Sequence, residues 1–206
     1  MIGDKLNGDI AGVGTLCYEG HDNLYLNITN RCSANCVFCI RDISDGIYGS
    51  NLRLTKEPSL DEILDKLGSL DLEIYREVVF TGFGEPTIRL DIVLEVTRWL
   101  KEHGMKVRID TNGHAQLLHP ERDVISELKD AGLDEVSVSL NAESKERYDE
   151  LCQPDLENAY EAMLEFTKEA VNAGIESRMT VVGFNDVDIL KCEKIAHEIG
   201  AAFHVR

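Results

Sequence analysis

Short β-branched segments alternate with longer amphipathic segments along most of the chain. The short segments predict six β-strands, over residues 24–29, 77–81, 105–110, 135–140, 177–182 and 202–206. The segments between them repeat apolar positions with the period of a helix, over residues 60–70, 90–100, 120–131, 157–173 and 187–199. This alternation of strand and helix predicts a parallel sheet, because parallel neighbours need crossover connections.

Polar and apolar residues also alternate inside the predicted strands. In the fourth strand Val136 and Val138 point to one face, whereas Ser137 and Ser139 point to the other. In a curved sheet with helices outside, the apolar face meets the helices and the polar face lines the interior. A closed eight-stranded barrel fills its interior with Val, Ile and Leu. The polar face therefore predicts a solvated cavity that holds a ligand.

Six strands are too few to close an eight-stranded barrel. The expected fold is therefore α/β, a partial (βα)6 barrel of the TIM type with an open side. An open doubly wound sheet is the alternative. Residues 1–23 predict a short N-terminal hairpin with its turn at residues 20–23, placed below the barrel, and residues 24–206 predict one core domain.

The composition is that of a globular protein with an acidic surface. The chain has 206 residues, 43% of them hydrophobic, and a formal charge of −17. Such a surface repels phosphate backbones, which disfavours nucleic acid as a partner. No apolar segment approaches the length of a membrane span, and the first residues lack the pattern of a secretory signal. We therefore expect a cytoplasmic protein, in which the six cysteines bind metal or react rather than form disulfides.

Three cysteines lie close together in the loop that leaves the first predicted strand. Cys32, Cys36 and Cys39 have the spacing C-x3-C-x2-C, and short-spaced cysteines of this kind ligate [4Fe–4S] clusters. The fourth iron then has no local cysteine, which leaves a coordination position for a substrate or cofactor. A structural zinc site, which would need a fourth ligand, and a thioredoxin-like C-x-x-C pair are the alternatives.

Two motifs resemble those of the radical SAM superfamily. The first is C-x3-C-x-φ-C with Phe38 as the aromatic φ, and the second is T-G-F-G-E-P at residues 81–86. The resemblance covers residues 24–206 and implies a [4Fe–4S] cluster that binds S-adenosylmethionine (SAM). It implies an enzyme whose cluster is reduced by a one-electron donor, a flavodoxin or a ferredoxin. SAM is then cleaved to methionine and a 5′-deoxyadenosyl radical, which abstracts hydrogen from a substrate.

The resemblance also implies contacts to SAM from residues at the ends of the strands. Gly84 and Glu85 match a motif that contacts the SAM amino group, although Phe83 stands where the common form has another glycine. Ser139 and Asn141 match contacts to the ribose and carboxylate, but are neutral where a related subgroup has Asp and Lys. The full set of implied cofactor-binding residues is Phe38, Gly84, Glu85, Asp110, Thr111, Ser139, Asn141, Val182 and His204.

A narrower resemblance joins several motifs. I-T-N-R-C, G-x-G-E-P-T-I-R-L-D and S-x-S-L-N-A together resemble the small radical SAM proteins associated with TatD-family nucleases. That family implies no substrate or product, and the sequence assigns no catalytic residue. The chain ends directly after the sixth strand, so we expect that a large partner could close the barrel. The alternatives are therefore an activase that generates a radical on a partner protein, and a non-catalytic metal or redox sensor.

Basic residues surround the cysteine loop in this otherwise acidic chain. They are Arg31, Arg41, Arg53 and Lys56. They form either an ion-paired face or a docking surface for an acidic electron donor, since complementary charge speeds encounter. No role follows from the sequence for three separate cysteines, Cys17, Cys152 and Cys192.

Overall fold

An eight-stranded sheet forms the centre of the protein. The computed structural model describes residues 8–10, 14–183 and 186–206. From one edge of the sheet to the other the strands are β1 (Gly8–Ile10), β2 (Gly14–Gly20), β3 (Asn23–Leu26), β6 (Val78–Phe80), β7 (Val107–Thr111), β8 (Glu135–Ser139), β9 (Glu176–Val181) and β10 (Ala202–Val205). A separate two-stranded hairpin consists of β4 (Gly46–Ile47) and β5 (Ser50–Asn51).

The six strands from β3 to β10 are parallel and lie in the order of the chain. Tyr25, Val79, Arg108 and Glu135 lie side by side across the first four of them. A doubly wound sheet would reverse its strand order at a switch point, and this order has no reversal. The predicted partial (βα)6 barrel is therefore confirmed. Its edges, β1 and β10, are not paired with each other, which leaves the side of the arc open.

Helices connect the parallel strands and cover one face of the sheet. They are α1 (Leu60–Gly68), α2 (Leu90–Glu102), α3 (Ala115–Leu118), α4 (Val124–Asp130), α5 (Lys145–Cys152), α6 (Ala159–Asn172) and α7 (Ile189–Ile199). The first begins at a capping box in which the Ser59 hydroxyl accepts from the Glu62 N–H and the Glu62 carboxylate accepts from the Ser59 N–H. None of the described helices has the length and apolar character needed to cross a membrane.

The N-terminal strands extend the sheet sideways. β2 runs antiparallel to β3, and the two-residue turn between them has positive φ angles at His21 (51°) and Asp22 (62°). This is the backbone that a tight hairpin with matching twist requires. The expected position of the hairpin below the barrel is wrong, because β2 instead occupies the free edge of β3 through backbone hydrogen bonds.

The inner face of the arc carries ion pairs near the amino ends of the strands. Arg108 Nη2 lies 3.0 Å from Glu77 Oε1, and the same guanidinium also pairs with Asp110. On the next strands Glu135 Oε1 lies 2.6 Å from Arg178 Nη2. Arg108 and Glu135 are both buried, and pairing offsets the cost of burying each charge. The interior is therefore polar, as the alternation within the strands predicts.

Candidate functional site

The loop with the three cysteines lies against the end of α5. The Val37 N–H donates to the Leu151 carbonyl at 2.9 Å, and the Asn35 N–H donates to the carbonyls of Cys152 and Gln153 at 3.1 Å. Ala34 forms an antiparallel bridge with Pro154. These contacts hold the loop at the carboxyl ends of the parallel strands, which is where ligands bind in folds of this class.

This antiparallel register places Cys36 opposite Cys152. Cys152 is 1% exposed, and its side chain faces that of Cys36 across this bridge. The Asn141 Nδ2 donates to the Cys152 Sγ at 3.6 Å. The hydrogen bond from Cys152 lowers the pKa of Cys36, since it stabilises the thiolate form. A fourth cysteine therefore belongs to the site, which the sequence did not indicate.

Cys32 lies beside a buried polar network. The Asn112 Nδ2 is 3.9 Å from the Cys32 Sγ and donates to the Ser33 Oγ at 2.9 Å. The His114 ring joins this serine, at 3.0 Å from Nδ1, to the Tyr148 hydroxyl, at 2.8 Å from Nε2. Burial lowers the pKa of His114 to about 4, so the ring is neutral at pH 7. The network connects the cysteine loop to β7 and α5.

Burial also changes the chemistry of the Cys32 thiol. It raises the pKa of Cys32 to about 12, and the nearby Glu85 carboxylate acts in the same direction. Metal ligation by a thiol requires loss of its proton. A bound cation would supply the charge that stabilises this thiolate.

Glu85 connects the end of β6 to the end of β7. Its Oε1 accepts from the Thr87 N–H (3.0 Å), the Thr87 hydroxyl (2.6 Å) and the Thr111 hydroxyl (2.8 Å), and its Oε2 accepts from the Asn112 N–H (2.7 Å). The side chain is buried, and burial raises the pKa of its carboxyl. These four hydrogen bonds engage the carboxylate within the protein and make it a positioning group.

Gly84 allows the cysteine loop and the loop after β6 to touch. A Cβ atom on Gly84 would lie 2.4 Å from the Arg31 carbonyl oxygen and 2.5 Å from the Thr29 carbonyl oxygen. The Glu85 N–H donates to the same Arg31 carbonyl at 2.7 Å. Only glycine permits this approach of two backbones.

Asp110 and Thr111 end β7, and both are engaged by neighbours. Asp110 forms the ion pair with Arg108 already described, and burial raises the pKa of its carboxyl although Arg108 opposes this effect. The Thr111 hydroxyl donates to Glu85 and accepts from the Gly113 N–H at 3.0 Å.

Ser139 and Asn141 end β8. The Ser139 Oγ accepts from Arg206 Nη2 at 3.2 Å. Asn141 has a left-handed backbone with φ of 57°, and its buried Oδ1 has no hydrogen-bond partner. A buried acceptor of this kind is completed by a ligand that donates a proton, such as an ammonium or a hydroxyl group.

The other three predicted residues lie around this end of the arc. Phe38 is half-buried and packs against the main hydrophobic core. Val182 is half-buried directly after β9. His204 is exposed on β10, opposite Thr180 of β9.

Each of the four basic residues around the cysteine loop is engaged by a neighbour. Three form ion pairs, and the fourth, Arg41, donates to the Ala34 carbonyl at 3.3 Å. The ion pairs are Arg31–Glu57 (2.7 Å), Arg53–Asp45 (2.8 Å) and Lys56–Glu62 (2.7 Å). These cations form an ion-paired face.

The donor set of the cysteine loop suits an iron–sulfur cluster, because thiolates bind the separate irons of such a cluster. The Asn141 side chain contacts Cys152 through its Nδ2. Its unpartnered Oδ1 fits a ligand bound beside the cluster.

Comparisons with known proteins identify the superfamily of this chain. The radical SAM superfamily matches residues 26–199. An uncharacterised protein of Methanocaldococcus jannaschii is 28% identical over 172 residues, which cover 82% of this chain and 51% of that protein. A "Probable GTP 3',8-cyclase" of Thermococcus kodakarensis is 32% identical over 181 residues, which cover 86% of this chain and 54% of that protein. The chain therefore spans about half the length of these curated relatives.

Solved structures share the fold. Streptococcus suis SuiB, crystallised with its precursor peptide SuiA, superposes with a TM-score of 0.63 at 19% identity, over 86% of this chain and 37% of SuiB. Methylornithine synthase (PylB) superposes with a TM-score of 0.63 at 14% identity, over 89% of this chain and 52% of that protein. Since the family match covers most of its length, this chain belongs to the radical SAM superfamily, whose members use a [4Fe–4S] cluster and SAM.

Proposed function

We propose that this chain is a radical SAM enzyme whose cluster is ligated by Cys32, Cys36 and Cys39. When bound, the cluster and SAM supply reductive cleavage of SAM to methionine and a 5′-deoxyadenosyl radical. The observation that carries the proposal is the position of the cysteine loop, which is fixed against α5 at the carboxyl ends of the strands. It lies beside the unpartnered Asn141 Oδ1.

The residues of this chain have three tasks in that reaction. The backbone contacts at Leu151 and Cys152 hold the cysteine loop in place. Glu85 holds the ends of β6 and β7 together, and we propose that the backbone around Gly84, rather than the engaged carboxylate, faces the SAM amino group. The Asn141 Oδ1 accepts a hydrogen bond from the amino group or a ribose hydroxyl, because a carboxylate has no proton to donate.

The remaining predicted residues form the outer part of this SAM site. We assign Ser139 and His204 to the ribose side, Phe38 and Val182 to the adenine side, and Asp110 and Thr111 to the strand end that supports the methionine portion. The substrate would enter through the open side of the arc, between β10 and β1. SuiB is described with a bound precursor peptide, which supports a polypeptide as one substrate class beside a small molecule. Membership of the TatD-associated group and a cytoplasmic location belong to the same proposal.

The electron donor would dock where apolar side chains are exposed beside the cysteines. Val37 is 54% exposed and Ile43 is 82% exposed, and they flank the third cysteine in the chain. The adjacent cations are already engaged by ion pairs or, for Arg41, by a hydrogen bond to a carbonyl, so we propose that contact with a flavodoxin or ferredoxin is centred on these apolar groups. Ile43→Glu should then slow reduction by such a donor and leave reduction by dithionite unchanged. Leu190→Glu, at a 77% exposed residue of α7, is the matched control, and equal rates for both variants would refute the docking surface.

Cluster ligation is tested by anaerobic reconstitution with iron and sulfide. The wild-type protein should hold about four irons and four sulfides per chain. Cys32→Ala, Cys36→Ala and Cys39→Ala should each lose most of this content, whereas Cys17→Ala and Cys192→Ala should retain it. If the first three variants bound as much iron and sulfide as the controls, the ligand assignment would be wrong. Zinc bound in place of iron would favour a structural metal site.

A further inference from the structure

Cys152 is the buried nucleophilic group that the proposed function does not use. It is 1% exposed at the last residue of α5, and neither the family match nor the cysteine motif assigns it a role. Two other buried cysteines, Cys17 and Cys192, lie elsewhere in the fold. Of these three cysteines, Cys152 is the one that faces a cysteine of the motif, across the bridge between the loop and the end of α5.

The backbone fixes this contact. Ala34 bridges Pro154, and the Val37 N–H bonds to the Leu151 carbonyl, so residue 36 stands opposite residue 152 in the antiparallel register. Directly opposite residues between two hydrogen-bonded pairs bring their side chains close together. The register therefore places the side chains of Cys36 and Cys152 next to each other.

A second polar group orients the Cys152 thiol. The Asn141 Nδ2 donates to the Cys152 Sγ at 3.6 Å, so the sulfur already accepts a hydrogen bond. Its own S–H group is then available to donate to the sulfur of Cys36, which it faces across the bridge. The left-handed backbone of Asn141, with φ of 57°, places the amide for this contact. The chain of donors runs from Asn141 through Cys152 to Cys36.

A cluster is easier to reduce when one of its ligand thiolates accepts a hydrogen bond. Reduction adds one negative charge to a cluster and its thiolates, and a donor next to a sulfur stabilises this charge. Hydrogen bonds to the sulfurs are among the factors that set cluster potentials, and partners behind the ligands commonly tune a metal site.

We propose that Cys152, oriented by Asn141, donates a hydrogen bond from its S–H group to the Cys36 thiolate of the bound cluster and raises the reduction potential of that cluster. The inference rests on the proposed cluster ligation. Cys152 is in this account a positioning residue, since it contacts a ligand and not the reacting atoms. It would make the cluster accessible to a weaker one-electron donor.

The test is a redox titration of reconstituted protein, with the reduced cluster followed by electron paramagnetic resonance. In Cys152→Ala the ratio of reduced to oxidised cluster at a fixed potential should fall about tenfold, which corresponds to a potential about 59 mV lower for one electron. Cys152→Ser, which keeps a donor, should return this ratio to within about twofold of the wild-type protein. Cys192→Ala should not change it.

Two results would overturn the inference. One is a Cys152→Ala potential equal to that of the wild-type protein, and the other is a Cys152→Ser potential equal to that of the Ala variant. If Cys152→Ala does not fold, Cys152→Val fills the space of the thiol without a donor and takes its place. Failure of the proposed function looks different, because the wild-type protein would then hold no [4Fe–4S] cluster to titrate.

Discussion

The Glu85 carboxylate accepts the Asn112 backbone N–H at 2.7 Å, and this contact ties the end of β6 to the end of β7. The same carboxylate accepts three more hydrogen bonds from Thr87 and Thr111. All four of these hydrogen-bond partners are donors. The strand ends that surround the proposed SAM site are therefore held together by one buried acidic group.

Replacing Glu85 by Gln should destabilise the fold. The Gln side chain has an amide NH2 in place of one acceptor oxygen, which leaves buried donors facing each other and costs about 2 kcal/mol. Unfolding in urea measures the free energy of unfolding of the wild-type protein and of the variant. Glu102→Gln, at an exposed position near the end of α2, should change the free energy of unfolding by less than about 0.5 kcal/mol. Equal stabilities of the two variants would contradict the role of Glu85.

Gly84→Ala should separate the cysteine loop from the loop after β6. The added Cβ would meet two carbonyl oxygens at 2.4 and 2.5 Å, and backbone shifts of this kind cost about 1–3 kcal/mol. Gly68→Ala is the matched control, because a Cβ there has no neighbour within 4 Å and alanine favours the helix. Urea unfolding should show a loss of stability for the first variant and a small gain for the second. Cluster uptake should fall only for Gly84→Ala, and normal uptake would refute the contact.

His114 should make the stability of the cluster-free protein depend on pH. Its pKa is lowered by burial from 6.5 to about 4 in the folded protein. Between these values the unfolded chain binds a proton that the folded chain does not, so stability is full above pH 6.5 and falls as the pH falls toward 4. The loss amounts to about 3 kcal/mol.

The measurement is the free energy of unfolding of wild-type protein and of His114→Gln across this range. The variant has no imidazole to protonate, so its stability should fall less with decreasing pH, and the difference between the two curves isolates His114 from the titrating carboxyl groups. Parallel curves would show that His114 does not lose its proton on folding.

Asn141→Gly should weaken SAM binding to the reconstituted protein. The variant keeps the positive φ but removes the unpartnered Oδ1, and loss of one hydrogen bond to the ligand corresponds to about tenfold in affinity. Asn158→Gly is the control, since Asn158 has the same φ of 57° at an exposed position before α6. Equilibrium binding of SAM measures both variants. Unchanged affinity in Asn141→Gly would remove Asn141 from the SAM site.

The sequence predicted the parallel strands well because each is a local pattern. Each of the six predicted strands is present within three residues at either end. Helix α5 was missed, because its eight residues, K-E-R-Y-D-E-L-C, include only three apolar ones, Tyr148, Leu151 and Cys152, and their helical spacing spans a single turn. The predicted helix over 120–131 is shorter, Val124–Asp130, since Asp123 caps it.

The candidate site likewise has one part that a local sequence pattern predicts and one part that depends on contacts between distant segments. The three motif cysteines are neighbours in the chain, and their spacing alone indicates a cluster. Cys152 and His114 join the site only through the register between the loop and α5 and through the buried contact with Ser33. Those contacts join segments that are far apart in the chain, so no local sequence pattern predicts them. Glu85 was predicted as a ligand contact, which stays a prediction, and its hydrogen bonds to Thr111 and Asn112 were not foreseen.

The central claim is reductive cleavage of SAM at a cluster on the cysteine loop. The most direct test is to add dithionite and SAM to the anaerobically reconstituted protein and to follow 5′-deoxyadenosine by chromatography. We predict 5′-deoxyadenosine from the wild-type protein and from Cys192→Ala, and none from Cys36→Ala. A wild-type protein that holds a full [4Fe–4S] cluster and SAM but releases no 5′-deoxyadenosine would contradict the account.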